Sequence, residues 1–387
     1  MNLELSEEQS AVRDLAASFT DREIVPYAAE WDRAESVDRA IVGKLAKVGF
    51  LGLTIPEEYG GSGGDHLAYC LVLEELGRGD SAVRGIVSVS LGLVGKSVNA
   101  FGTEEQKRHW LPRLTSGESL ACFALTEPGT GSDAANLTTR AVRDGDHWLI
   151  SGAKTFITNG TWADVALVFA RTGGDGPQER GHRGITAFLV PTDVPGFTRT
   201  EIHGKLGLRG QATAGLSFED VRVPDTARLG EVGKGFTVAM AALAKGRMSV
   251  AAGCVGIARA CLEAAVRYAG EREQFGKPIA AHQLVQELLA GIAVDVEAAR
   301  LLTWKVADHI ERGLPFATES SVAKLYASEA AVRAANNALQ VFGGYGFIDE
   351  YPVGKYLRDA RVMTLYEGTS QIHQLLIGRA LTGVNAF

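Results

Sequence analysis

What most constrains this chain is a double change in its hydrophobic period. Up to about residue 120 the apolar residues recur at helical spacing. Ser6-x-x-Gln9 and Thr103-x-x-Gln106 fit capping boxes that open amphipathic runs, and a glycine cluster, Gly60 to Gly64, separates helices. From about Ala121 to Arg228 the pattern becomes short β-rich runs such as Trp148-Leu149-Ile150, Val165 to Phe169 and Ile185 to Val190, with Asp144-Gly145 as a hairpin signal. From about Gly233 helical spacing returns. Val250, Cys254, Ile257, Cys261 and Ala265 mark one face, and Leu284 to Ile310 reads as a second long helix. A chain of this pattern is α+β, with a helical domain over 1–120, a β domain over 121–232 and a helical domain over 233–387.

Its 387 residues suffice for two or three domains, and 46% hydrophobic with 22% charged residues is an ordinary globular composition. A net charge of −7 leaves nothing to neutralise phosphates in bulk, which argues against nucleic acid and anionic membranes as partners. Met1 to Ser10 is acidic and lacks the regions of a signal peptide, and the apolar stretches are broken by charges such as Lys245, Arg247, Asp295 and Glu297, so a cytoplasmic location is expected. Cys70, Cys122, Cys254 and Cys261 form no CxxC pair, and the eight histidines lack ligand spacing; no metal is expected. Ser90 to Ser97 approaches a phosphate loop but has Ser90 in place of its first glycine and no clear strand before it, so a helix turn is expected. No G-x-G-x-x-G follows a strand, which removes the usual dinucleotide fingerprint and leaves open a flavin bound in another way.

Three segments remain. Tyr366-Glu367-Gly368-Thr369-Ser370-Gln371-Ile372 reads as a helix start with Thr369 or Ser370 as N-cap. Glu367 at its mouth is either a carboxylate complementing the helix dipole or a general base, with Gly368 letting a bulky substrate approach. Leu125 to Asp133 is a turn-rich loop whose glycines free backbone amides for a ligand, or a plain connection. Gly152 to Gly160 places an aromatic, a hydroxyl and a turn at a strand end.

With the C-terminal block these loops resemble the acyl-CoA dehydrogenase family. Arg272-Glu-Gln-Phe275-Gly276 is similar to its R-x-x-F-G motif, Gln340-Val-Phe-Gly343-Gly344-Tyr-Gly346 to its Q-x-F-G-G-x-G, and Tyr366-Glu367-Gly368-Thr369 to its Y-E-G-T. The motifs stand in the family's order over nearly the whole chain. The resemblance implies an N-terminal helical domain, a middle β-barrel-like domain and a C-terminal four-helix bundle, with FAD between sheet and bundle. It also implies a homo-oligomer, usually a tetramer, in which a neighbouring subunit touches the flavin. By motif matching, Phe123, Leu125, Thr126, Gly131, Ser132, Phe156 and Thr158 line the flavin, Arg272, Phe275, Gln340, Gly343 and Gly344 come from the neighbouring subunit, and Thr369 and Gln371 complete the site. Ser132, Arg247 and Gly368 are expected to touch the substrate.

The reaction so implied is α,β-dehydrogenation of an acyl thioester on coenzyme A or an acyl carrier protein, with electrons passing to an electron-transfer flavoprotein or another acceptor. An α-proton of a thioester is a poor acid, so a positioned base must remove it while the carbonyl oxygen is stabilised and the flavin takes the β-hydride. Glu367 is the expected base, with burial raising its pKa. Some members carry the base at the position matching Gly246, which is glycine here and is expected to suit short or α-branched acyl groups. Ala244 stands where members often have a polar or acidic residue, which leaves the carrier open. A flavin oxidase or monooxygenase of the same fold, a non-catalytic flavin-binding protein and a helical interaction protein are the competing readings.

Overall fold

The computed structural model describes residues 3–173 and 181–385. Helices α1 (Glu7–Glu23), α2 (Ala28–Ala34), α3 (Ile41–Lys47), α4 (His66–Gly79), α5 (Ser81–Val87), α6 (Lys96–Phe101) and α7 (Glu104–Thr115) form the first part. Both capping boxes are present: Ser6 accepts from Gln9 N at the head of α1 and Thr103 from Gln106 N at the head of α7, each glutamine returning to the cap's own N–H. The segment that approaches a phosphate loop is helical. A π-helical stretch, Ser88–Gly95, runs α5 into α6, and such segments are frequent at functional sites.

The sheet comprises β1 (Ala121–Ala124), β2 (Arg140–Asp144), β3 (His147–Thr158), β4 (Val165–Arg171), β5 (Ile185–Pro191), β6 (Phe197–Glu201), β7 (Thr213–Pro224) and β8 (Arg228–Leu229). Its order is β6-β7-β3-β2-β4-β5-β8, with β1 parallel to β4. β2 and β3 make the hairpin signalled by Asp144-Gly145, with Gly145 at φ 62°. β2 meets β4 at a single pair, Arg140 with Arg171, so the sheet bends there. Its two halves enclose a core of Trp148, Ile150, Val168, Phe188, Phe218 and Val223.

Helices α8 (Gly235–Glu271), α9 (Gln283–Glu311) and α10 (Ala317–Phe342) pack side by side, with α11 (Val353–Met363) and α12 (Ser370–Thr382) against α10. A two-stranded ribbon, β9 (Glu273–Gln274) with β10 (Lys277–Pro278), follows α8. α8 is the axis of the molecule. Its expected face, from Val250 through Cys254, Ile257 and Cys261 to Ala265, is buried. It touches α4 backbone to backbone: a Cβ at Gly256 would lie 2.1 Å from Glu74 O, and one at Gly77 2.7 Å from Gly253 O. Arg259 bridges Glu74 (2.8 Å) and Glu75 (2.6 Å), and Arg300 reaches Glu74 (2.8 Å), locking α4 to α8 and α9. α8 and the Ser81–Phe101 helix are long and apolar enough to cross a membrane, yet the second lies wholly inside the protein and most of the first does too.

One buried ion pair holds the loop that leaves β1. Lys154 Nζ lies 2.9 Å from Glu127 Oε1, both side chains being out of water, and donates to Leu125 O at 3.0 Å. Thr138 N, Thr138 Oγ1 and Thr139 N complete the carboxylate's partners. Burial pushes the Glu127 carboxyl up, but Lys154 and these hydrogen bonds outweigh it and bring the group to about 2. Lys154→Met is expected to destabilise the protein by about 3–5 kcal/mol, because the carboxylate is left buried and alone. The double variant Lys154→Met with Glu127→Leu should recover much of that loss in urea unfolding. A single variant within 1 kcal/mol or so of wild type would contradict this account.

Candidate active site

The segment 364–370 turns between α11 and α12 and is fixed from three sides. Thr369 is the N-cap of α12, accepting from Ile372 N at 3.2 Å, and Ser370 Oγ donates to Glu329 Oε1 at 2.5 Å. Lys324, buried in α10, donates to Gly368 O at 2.7 Å. His373 lies under the turn, its Nε2 2.9 Å from where a Cβ on Gly368 would stand. Gly368 adopts φ 98°, which L side chains avoid, and Glu367 itself adopts φ 52°. Strain at the acidic residue, held by a lysine and a packed imidazole, directs its side chain toward α8 rather than to solvent.

There the carboxylate meets bare backbone. A Cβ at Gly246 would stand 2.2 Å from Glu367 Oε2 and 2.7 Å from Leu93 Cδ2. Oε2 is out of solvent and has no hydrogen-bond partner. Burial raises the carboxyl to about 7, against the opposing charges of Arg84, Lys324 and Arg247. Burial also drops Lys324 to about 8 and His373 to about 3, so the imidazole stays neutral at the pH where the carboxyl titrates. A carboxylate complementing a helix end would be hydrated and acidic. This one has an oxygen out of solvent and unpartnered and is poised near neutrality, as a proton acceptor requires.

The other expected residues fall into two groups. The loop after β1 joins the end of β3, Thr155 N donating to Thr126 O at 2.9 Å, and Thr158 stands beside α5: its Oγ1 donates to Gln211 Oε1 at 3.1 Å, and a Cβ on Gly85 would meet both residues. Phe156 is 69% exposed at φ 58°, Gly129 and Gly131 face open space, and Ser132 is exposed. Leu125 is buried and Phe123 packs on Phe169 (4.9 Å between centroids), so these two have little side chain left to offer a ligand. Arg247, half-buried beside Gly246, donates to Ser321 Oγ at 3.3 Å and leaves Nε unpartnered. Thr369 is half-buried and Gln371 exposed at the head of α12.

Arg272, Phe275, Gln340, Gly343 and Gly344 are gathered elsewhere, at the far end of α8. The Arg272 guanidinium lies 5.6 Å from the Tyr345 ring centroid, Phe275 is 93% exposed at φ 53°, and Gly343 and Gly344 face open space. At helical rise Arg272 is roughly 40 Å along α8 from Gly246. Within one chain Arg272 is therefore far from the Glu367 turn.

The reading of the residues missed several parts of the site: Lys324 and His373 under the turn, and Arg84, buried beside Tyr366. Arg84 had a signal, being the one charged residue between Ser81 and Gly95.

Residues 6–118, 122–221 and 233–382 match the family models for the acyl-CoA dehydrogenase N-terminal, middle and C-terminal domains. The chain belongs to the acyl-CoA dehydrogenase family. An acyl-CoA dehydrogenase of Bacillus subtilis (strain 168) is 43% identical over 98% of this chain and 100% of its own. Among solved structures, butyryl-CoA dehydrogenase from Megasphaera elsdenii superposes with a TM-score of 0.95 at 40% identity, covering 98% of this chain and 100% of that one. A glutaryl-CoA dehydrogenase from Mycobacterium smegmatis in complex with FADH2 gives 0.94 at 36% identity, with coverage of 99% and 96%. The present acyl-CoA dehydrogenase is therefore an FAD-dependent oxidoreductase that introduces a double bond between the α- and β-carbons of an acyl thioester. The residues fit that cofactor: an exposed aromatic at a strand end, open glycine backbone on the facing loop and a side-chain hydroxyl between them form an edge that a flat ring can cover.

Proposed function

We propose that Glu367 is the base that removes the α-proton of a short acyl group carried on coenzyme A. The observation that carries this reading is the unpartnered Oε2 of Glu367, out of water and facing the bare backbone of Gly246. Bound FAD supplies the two-electron oxidant that accepts the β-hydride. The main-chain amide of Glu367 holds the thioester oxygen as negative charge develops there. Lys324 and His373 keep the turn from relaxing, so the carboxylate stays aimed at the α-carbon. Arg247 and Ser132 steady the thioester arm. Electrons leave to an electron-transfer flavoprotein, and the enzyme works in the cytoplasm.

A homo-oligomer, a tetramer by family resemblance, completes the flavin site. Arg272, Phe275, Gln340, Gly343 and Gly344 of one subunit reach the flavin held by Phe156, Thr158 and the 125–132 loop of another. The separation along α8 supports this arrangement, since Arg272 is far from the Glu367 turn of its own chain. Arg272→Ala is expected to lose flavin on gel filtration, with occupancy falling at least tenfold at micromolar protein, because the planar guanidinium fork suits a diphosphate. Unchanged flavin affinity in that variant, or a monomeric wild type by light scattering, would contradict the arrangement. The activity itself is tested by anaerobic bleaching of the yellow holoenzyme with a panel of acyl-CoA and acyl-carrier thioesters. Short acyl-CoA thioesters should bleach it fastest, and a preference for long straight chains would refute the substrate reading.

A further inference from the structure

The interior next to Glu367 is not the apolar surrounding that a plain hydrocarbon tail requires. Arg84 is 1% exposed and forms no ion pair among the described residues. Its Nη1 donates to Ser88 Oγ at 2.8 Å and its Nη2 to the Tyr366 hydroxyl at 2.7 Å, while Nε has no partner. Ser249 on α8 also donates to Ser88 Oγ, at 2.7 Å. A second buried cation of the same helical run, Lys96, sits 4.0 Å from the Tyr69 ring centroid with its ammonium unpartnered. Removing an ion from water costs several kcal/mol, and the guanidinium's hydrogen-bond partners are neutral hydroxyls, with Glu367 acting on it only through space.

The guanidinium also occupies a slot made for it. A Cβ on Gly253 would stand 2.3 Å from Arg84 Cδ and 2.5 Å from its Nε, so only glycine admits the side chain here. Gly246, which admits the Glu367 carboxylate, and Gly253 are seven residues apart on α8. That is two helical turns, nearly one face, and about 10 Å of axis. Carboxylate and guanidinium thus meet α8 at two points of one wall, and that axial spacing sets the gap for a chain laid between them.

Resting on the reading of Glu367 as base, the geometry points to a substrate whose acyl chain ends in a carboxylate, bound by Arg84 with Ser88, the acyl group having four or five carbons. A base contact and an ion-paired hydrogen bond each take about 3 Å of the gap. Roughly 4 Å remains, room for no more than about three C–C bonds between the α-carbon and the terminal carboxyl carbon. A five-carbon diacid thioester spans this and a six-carbon one does not. A monocarboxylic chain of equal length leaves the guanidinium buried and unanswered, which is how a polar site rejects an apolar analogue.

The holoenzyme is mixed anaerobically with glutaryl-CoA, valeryl-CoA or adipyl-CoA, and flavin reduction is followed at several concentrations. Wild type is expected to favour glutaryl-CoA over valeryl-CoA by about 100-fold or more in reduction rate over dissociation constant, with adipyl-CoA well below glutaryl-CoA. Arg84→Met should reverse the order, losing about 100-fold with glutaryl-CoA while valeryl-CoA changes less than about tenfold. Binding is measured separately by calorimetry on Glu367→Gln holoenzyme, where glutaryl-CoA should bind tighter than valeryl-CoA. A wild type that prefers valeryl-CoA overturns the inference whether or not Arg84→Met folds. So does an Arg84→Met protein that slows both substrates equally with a shifted pH profile, since Arg84 would then act only on Glu367. If none of the thioesters reduces the flavin, the reading of Glu367 fails, and the calorimetric comparison still decides the role of Arg84.

Discussion

Glu367→Gln is expected to retain flavin and bind acyl thioester while flavin reduction falls by about 10²–10⁴-fold, the usual worth of a positioned acid or base. The amide keeps the shape of the side chain and the strained turn that Lys324 and His373 hold, so the loss belongs to proton transfer and not to folding. Near wild-type reduction would remove Glu367 from the mechanism. The same pair of proteins reads out the carboxyl's environment. Its pKa rises from an ordinary 4.5 to about 7 on folding. A group raised in this way contributes stability that is fully present below pH 4.5 or so and is lost as pH rises through about 7. Wild type should therefore lose stability relative to Glu367→Gln between pH 5 and 8, on the order of 2 kcal/mol, visible as a falling difference in Tm. A difference that stays flat across that range would show an unperturbed carboxyl.

Gly246 carries the second large effect. A methyl there would overlap Glu367 Oε2 and Leu93, with Leu93 the harder neighbour to move. Gly246→Ala is expected to cost at least about 100-fold in reduction rate through displacement of the carboxylate by an ångström or so. Gly246→Glu with Glu367→Gly removes the overlap with the carboxylate, leaves only Leu93 to shift, and places a carboxylate in the same space from the other wall. The double variant should reduce flavin at least tenfold faster than Glu367→Gly alone. A double variant that folds, holds flavin and binds thioester yet stays inactive would mean that position 246 serves packing only. The expectation that Gly246 leaves room for substrate is thereby sharpened, since the room is taken first by Glu367 itself.

Much of this was legible because it is local. Period, capping boxes and the Asp144-Gly145 turn are written in neighbouring residues, and helix boundaries such as Gln283–Glu311 follow from them. Glu367 was legible through the residues around it and through family resemblance. The rest depends on contacts between distant segments. Nothing beside Arg84 in the chain says that its partners are Ser88 and Tyr366. Nor does any local pattern say that Lys154 will meet Glu127 in a dry interior, or that Gly253 makes a slot. Those are consequences of how α4, α8 and the sheet come together. Arg272 shows the same limit, since its distance from Gly246 follows from the length of α8 and from no motif.

The contact of Gly253 with both Arg84 and the α4 backbone at Gly77 has an evolutionary side. A descendant that discards the arginine acquires a void the size of a guanidinium in its most rigid joint. It can refill that void from either side, with another long side chain at position 84 or with a side chain at position 253, since Arg84 alone fills the space a Cβ there would take. Divergence in what such a lineage consumes is thus channelled through a pair of facing codons, 84 and 253, while Gly77, closed by the α8 backbone, stays fixed.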